Sequence, residues 1–135
     1  MTALNIDAST PLKGLIQQAG SDASIYVNGG LPTTGLPNAF ILIEPNGGIR
    51  TEATKFANAT CVLSVSVYTK LLSTGAANLT LENLTIGKFQ DLFDDVVTKD
   101  EFTYELMTNP VMYTGKSLIS GYSTKIINVN CFINY

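Results

Sequence analysis

The 135-residue chain has no histidine. This removes the side chain that most often acts as a general base near neutral pH, and with it the commonest metal ligand. Charge is also scarce, at 14% of residues against a usual share of about 25%. The eight basic residues are scattered and the net charge is −3, so the basic stripe that nonspecific nucleic-acid binding needs is missing. No stretch approaches the roughly 20 apolar residues of a membrane-spanning helix. The opening Met1-Thr-Ala-Leu-Asn-Ile-Asp7 lacks the positive start and long apolar run of a secretory signal. Without secretion, the Asn-x-Thr triplets at Asn58, Asn78 and Asn83 are not expected to carry glycans.

Catalytic motifs are lacking too. Thr114-Gly-Lys-Ser117 resembles the end of a phosphate-binding loop, but Pro110 stands where the pattern needs its first glycine. There is no Gly-x-Ser-x-Gly elbow and no histidine to activate a serine. Aromatic residues do not interleave with Lys or Arg as a single-strand binder requires. No catalytic, cofactor-binding or metal-binding residues are assigned, and the chain is expected not to be an enzyme. Cys61 and Cys131 both fall in apolar strand patterns. They read as two buried thiols acting as small hydrophobes, with a disulfide between paired strands as the alternative.

What is present is alternation. From Gly121 to Tyr135, residues Ile127, Val129, Cys131, Ile133 and Tyr135 point one way. Tyr122, Thr124, Ile126, Asn128, Asn130, Phe132 and Asn134 point the other, which is a long β-strand. At about 3.3 Å per residue it could run roughly 50 Å, so it is expected to overhang its domain or to bend at a bulge. Ala59–Leu72 alternates likewise, with Cys61, Leu63, Val65 and Val67 inward, and is its natural partner.

Upstream, Ser9 or Thr10, Pro11 and Gly20 punctuate a helix whose apolar face is Leu12, Leu15, Ile16 and Ala19. A short strand at Ser24–Asn28 precedes a Pro/Gly loop, Gly29–Pro37, and then the apolar strand Asn38–Glu44, expected to be covered on both faces. Pro45–Gly48 is a turn with an Asn-Gly hairpin signal, and Ile49–Asn58 is ambiguous. Leu81–Thr98 reads as the main helix, capped by Thr80, with Ile86, Phe89, Leu92, Phe93, Val96 and Val97 as its apolar stripe. Asp91, Asp94 and Asp95 lie opposite, as a solvated acidic face or the lining of a channel. Phe102–Thr108 is a further strand, and Asn109–Lys116 a loop.

The expected fold is therefore one α+β domain over residues 1–135. It has a mostly antiparallel sheet of about four to five strands with two helices packed on one face. Low charge with abundant Asn, Thr, Ser and Gly suits a surface covered by neighbouring subunits, and equally an ordinary β-rich domain. The strand tyrosines Tyr26, Tyr68, Tyr122 and Tyr135 fit either interface anchors or strand residues with a wet hydroxyl.

The capped helix at Thr10–Ala19, the strand Ala39–Glu44 after its Pro/Gly loop, the alternating Val62–Tyr68, the helix Ile86–Val97 and the closing Gly121–Tyr135 occur in an order that resembles the tail terminator (tail completion) proteins of long-tailed bacteriophages. The resemblance is one of pattern over nearly the whole chain. It implies a structural virion protein that assembles with copies of itself into a closed ring, expected to be a hexamer. Such a ring caps the head-proximal end of the tail tube and joins it to the neck. Its implied partners are the tail tube protein and a neck or connector protein, with DNA only as passing cargo and no membrane. It would be made in the bacterial cytoplasm and reside in the virion. Candidate subunit-contact positions are Pro32, Pro37, Asn46, Tyr68, Tyr113, Tyr122 and Tyr135, and the candidate contact segments are Gly29–Pro37, Pro45–Asn58 and Asn109–Ser120. Another neck or tube subunit, or a small-ligand-binding α+β module, are the alternatives.

Overall fold

The computed structural model describes residues 7–20, 23–32, 34–45, 50–51, 58–93, 96–99, 102–106, 113–115 and 119–134. Its elements are α1 (Ser9–Gln18), β1 (Ser24–Val27), β2 (Ala39–Pro45), β3 (Arg50–Thr51), β4 (Asn58–Lys70), α2 (Leu79–Gly87), a 3-10 turn (Gln90–Phe93), β5 (Val97–Lys99), β6 (Phe102–Leu106), β7 (Tyr113–Gly115) and β8 (Tyr122–Asn134). One sheet runs β1-β2-β4-β8-β6-β5, with β3 added to β4 and β7 to β8.

The two long strands pair rung for rung over thirteen residues each, from Asn58 against Asn134 to Lys70 against Tyr122. Their pattern is what the sequence predicts. The inward column on β4 and β8 is Cys61, Leu63, Val65, Val67, Ile127, Val129 and Cys131, all buried. The expected overhang does not occur, because β4 is as long as β8 and the far edge of β8 is taken by β7 and then β6.

Two further expectations change. The sheet is larger than four to five strands, and it is mixed: β1 runs parallel to β2, while the other pairings are antiparallel. A parallel return needs a crossover, and the loop over residues 28–38 supplies it by passing across the sheet. Gly29 and Gly35 adopt positive φ of 77° and 76° there, backbone that suits glycine. β2 is covered on both faces as expected, with Phe40, Ile41, Leu42 and Ile43 buried.

The main helix is also shorter than its pattern. It ends at Gly87, followed by the 3-10 turn, and Val97 and Thr98 enter β5 instead. Gly87 is a poor helix former, and the β-branched Val-Val-Thr run favours a strand. The cap is Asn78, whose side chain accepts the Leu81 N–H, not Thr80. Both helices pack on the face of the inward column. Leu12, Leu15 and Ile16 from α1 and Ile86 from α2 join one core, with Phe89 just beyond, while Ala19 is exposed. The sheet curls so that α1 touches β1, β2 and, at the opposite edge, β5. Gly14 makes room for this: a β-carbon there would meet the Lys99 ammonium at 3.2 Å.

α1 is anchored by Asp7, not by Ser9 or Thr10. Its carboxylate accepts the backbone N–H of Ser9 and Thr10, the Thr10 hydroxyl and the Asn28 amide. Burial works against its charge, but the bonds from Thr10, Asn28 and the Thr10 and Ser9 backbone outweigh it and hold the carboxyl below 3.8. Asp7→Ala is expected to lower stability by about 1 kcal/mol in urea titrations at neutral pH. Because the folded pKa is depressed, this contribution is complete above the unfolded value and is lost as pH falls below it through the folded one. The wild type and Asp7→Ala should therefore converge in stability as pH falls below the ordinary carboxylate range; an equal gap at every pH would refute the assignment.

Candidate functional site

The sheet has three places where side-chain chemistry departs from plain packing. The first lies under α2. Glu82 is fully buried because it shares the helix face of Thr85, Ile86 and Phe89, three, four and seven residues on. Its Oε1 accepts the Ser123 hydroxyl at 3.0 Å, and Ser123 pairs with Thr69 Oγ1 at 3.0 Å. Its Oε2 lies 3.8 Å from Lys125 Nζ and has no hydrogen bond. Ser123 and Lys125 occupy the inward column, in phase with Ile127 and Val129. A carboxylate and an ammonium thus meet at one end of the core, within a hydroxyl pair.

The second is the thiol pair. Cys61 and Cys131 are direct rung partners, both buried and both free. The Leu71 N–H to Gly121 C=O bond fixes the ladder's parity and puts this rung among the hydrogen-bonded ones. The Cys131 thiol bonds to Cys61 and holds Cys61 below the ordinary thiol value, against burial. The same bond, together with burial and the Cys61 charge, pushes Cys131 up. Beside them Tyr104, the partner of Cys131 on β6, donates its hydroxyl to the Ala8 carbonyl, and burial raises its phenol far above the usual range.

The third is the sheet's other face. At one end, Phe40 stacks on Tyr68 with centroids 4.8 Å apart and planes 9° apart, while Tyr26 and Tyr122 meet Phe40 edge-on. Leu31 and Leu36 of the crossover loop cap this cluster, and Tyr122 donates to the Pro37 carbonyl at 2.9 Å. Burial, then the nearby Glu44 carboxylate, raise the Tyr68 phenol above 10. Toward the other end the same face carries polar and smaller apolar residues. Thr60, Val62, Ser64, Ile126, Asn128, Asn130, Thr103 and Glu105 are half-buried, and Phe132 is 38% exposed. Ser64 donates to Asn128 across the rung at 3.2 Å.

The positions singled out in the sequence scatter over this map. Tyr68 is buried and Tyr122 half-buried with its hydroxyl engaged, so both hold the loop to its own sheet and are not free contact anchors. Pro32 is exposed and Pro37 half-buried in that loop. Tyr113 opens β7; Asn46 and Tyr135 lie outside the described residues, as do Asp94 and Asp95. Asp91 is exposed, on the 3-10 turn. Among the described residues no cluster of metal-ligating side chains occurs and no helix is long and apolar enough to cross a membrane. Sequence reasoning missed Glu82 and Lys125; the signal was their phase, each a charge on an otherwise inward-facing stripe.

No protein-family model matches the chain, and no curated protein matches it.

Lys125→Met is expected to cost about 1–3 kcal/mol, since it strands a carboxylate in the core. Adding Glu82→Gln to the same chain should recover most of that loss. Urea midpoints of the two single variants and the double variant decide it, and simple additivity of the two costs would show that the pair is not coupled.

Proposed function

We propose that this chain is a structural subunit of a bacteriophage tail: a terminator that closes into a ring, expected to be a hexamer, on the head-proximal end of the tail tube and joins it to the neck. The observation that carries the reading is the composition of the sheet's outer face away from the aromatic cluster. That part of the face is wide, poor in charge and rich in Ser, Thr and Asn, with Val62, Ile126 and an exposed Phe132 among them. Charge depletion with apolar residues at the centre is the composition of a surface that copies or partners cover.

The order of elements supports it as well. A capped helix, a Pro/Gly crossover, an apolar strand, a long alternating strand, a helix and a long closing strand succeed one another as in the tail terminator proteins that the sequence resembles. In this reading the subunit is not an enzyme, and its partners are its own copies, the tube protein and a neck protein. The loop carrying Pro32 and the outer sheet face make the contacts, in place of the aromatic residues that the loop itself buries. A ring that satisfies the tube's open end, while offering no equivalent surface above, stops polymerisation.

Light scattering and electron microscopy of the purified chain test this. A closed ring of defined mass is expected, and with tail-tube protein present each tube should carry one ring at one end and stop growing. Phe132→Asp should reduce ring mass while shifting the urea midpoint by less than about 0.5 kcal/mol equivalent, as exposed substitutions do. Self-stacking into long tubes would make it a tube subunit. A monomer at every concentration that leaves tube growth unchanged would sink the reading and favour a ligand-binding module.

A further inference from the structure

We infer that Cys61 and Cys131 are a redox-responsive pair, joined under oxidation into an intramolecular disulfide that staples the two central strands. The inference is independent of the assembly reading, because it concerns chemistry inside one chain.

Three observations carry it. The two residues are rung partners on a hydrogen-bonded rung, where α-carbons sit about 5.5 Å apart, inside the span a disulfide bridges. As rung partners they stand side by side on the inward face of the sheet, both buried in the core. The pair is also asymmetric. Cys61 retains 7% exposure while Cys131 has none.

The asymmetry assigns the order of events, because the sulfur that an oxidant reaches first becomes the sulfenic acid. With hydrogen peroxide as oxidant, the Cys61 thiolate attacks one peroxide oxygen, the O–O bond breaks, and hydroxide leaves. Cys61 is then a sulfenic acid. The Cys131 sulfur attacks it, the S–S bond forms, the S–O bond breaks, and the Cys131 proton leaves with the oxygen as water. Two thiols are oxidised by two electrons and one peroxide is reduced. The link encloses α2 and β5 through β7 in a covalent loop, which restricts the unfolded chain.

The test uses the full wild-type chain with hydrogen peroxide. Titratable thiols should fall from two to none, the mass should fall by two hydrogens, and migration on a non-reducing gel should remain that of one chain. The melting temperature should rise by roughly 10 °C and return to its starting value with a dithiol. In Cys131→Ser a sulfenic-acid trap should label Cys61; in Cys61→Ser it should leave Cys131 largely unlabelled. If those variants do not fold, the wild-type thiol count still decides. Two thiols that remain titratable in the native chain, a disulfide between chains, or a lower melting temperature after oxidation would overturn the inference.

Discussion

The structure depends on one ladder. β4 and β8 exchange backbone hydrogen bonds along thirteen rungs, and the parity of that ladder assigns every residue on them to one of two faces. A slip by one residue would turn Leu63, Val65, Val67, Ile127 and Val129 outward and expose the stripe that both helices cover. Such a slip forfeits roughly 1.5–3 kcal/mol for each large apolar side chain brought to water, which over these residues is comparable with the whole stability of an ordinary domain, about 5–15 kcal/mol. Register is therefore fixed by the core, and the shorter strands add to a frame already set.

This is why the central strands were legible in the sequence and the periphery was not. Alternation of apolar and polar residues survives over thirteen positions in β4 and β8, and no competing helical period fits them. The span of α2 was misread for the opposite reason. Ile86, Phe89, Leu92 and Val96 keep helical spacing, yet Gly87 ends the helix and the backbone preference of Val96-Val97-Thr98 takes over. Spacing alone does not register where a chain stops being helical. The parallel β1–β2 pair was also hidden, since it depends on a loop crossing the sheet, which Pro and Gly announce only as a loop.

The polar network under α2 shows a different limit. Glu82 and Lys125 each break an inward stripe, on a helix and a strand 43 residues apart in the chain, and either alone reads as an imperfection. Only the packing of α2 across the Thr69–Ser123 rung makes them one unit. The same column then runs from hydroxyls and charge at this end, through an apolar middle, to the two thiols near the other. The core is thus graded in chemistry along a single pair of strands.

The curl of the sheet decides where a neighbour could attach. Edge strands with free backbone groups are the usual sites of chain-to-chain pairing. Here β1 and β5 form the two ends of the strand order, and α1 reaches both, with Lys99 lying over Gly14. α1 therefore occupies the space between the edges, where a strand from another copy would have to enter from that side. Association by edge pairing is disfavoured there on steric grounds. On the face opposite the helices, the described residues of the crossover loop pack over one end, against Phe40, Leu42 and Tyr68. That face presents side chains and not backbone groups, so substitutions at Asn130 or Phe132 change its chemistry without touching the ladder that holds the fold.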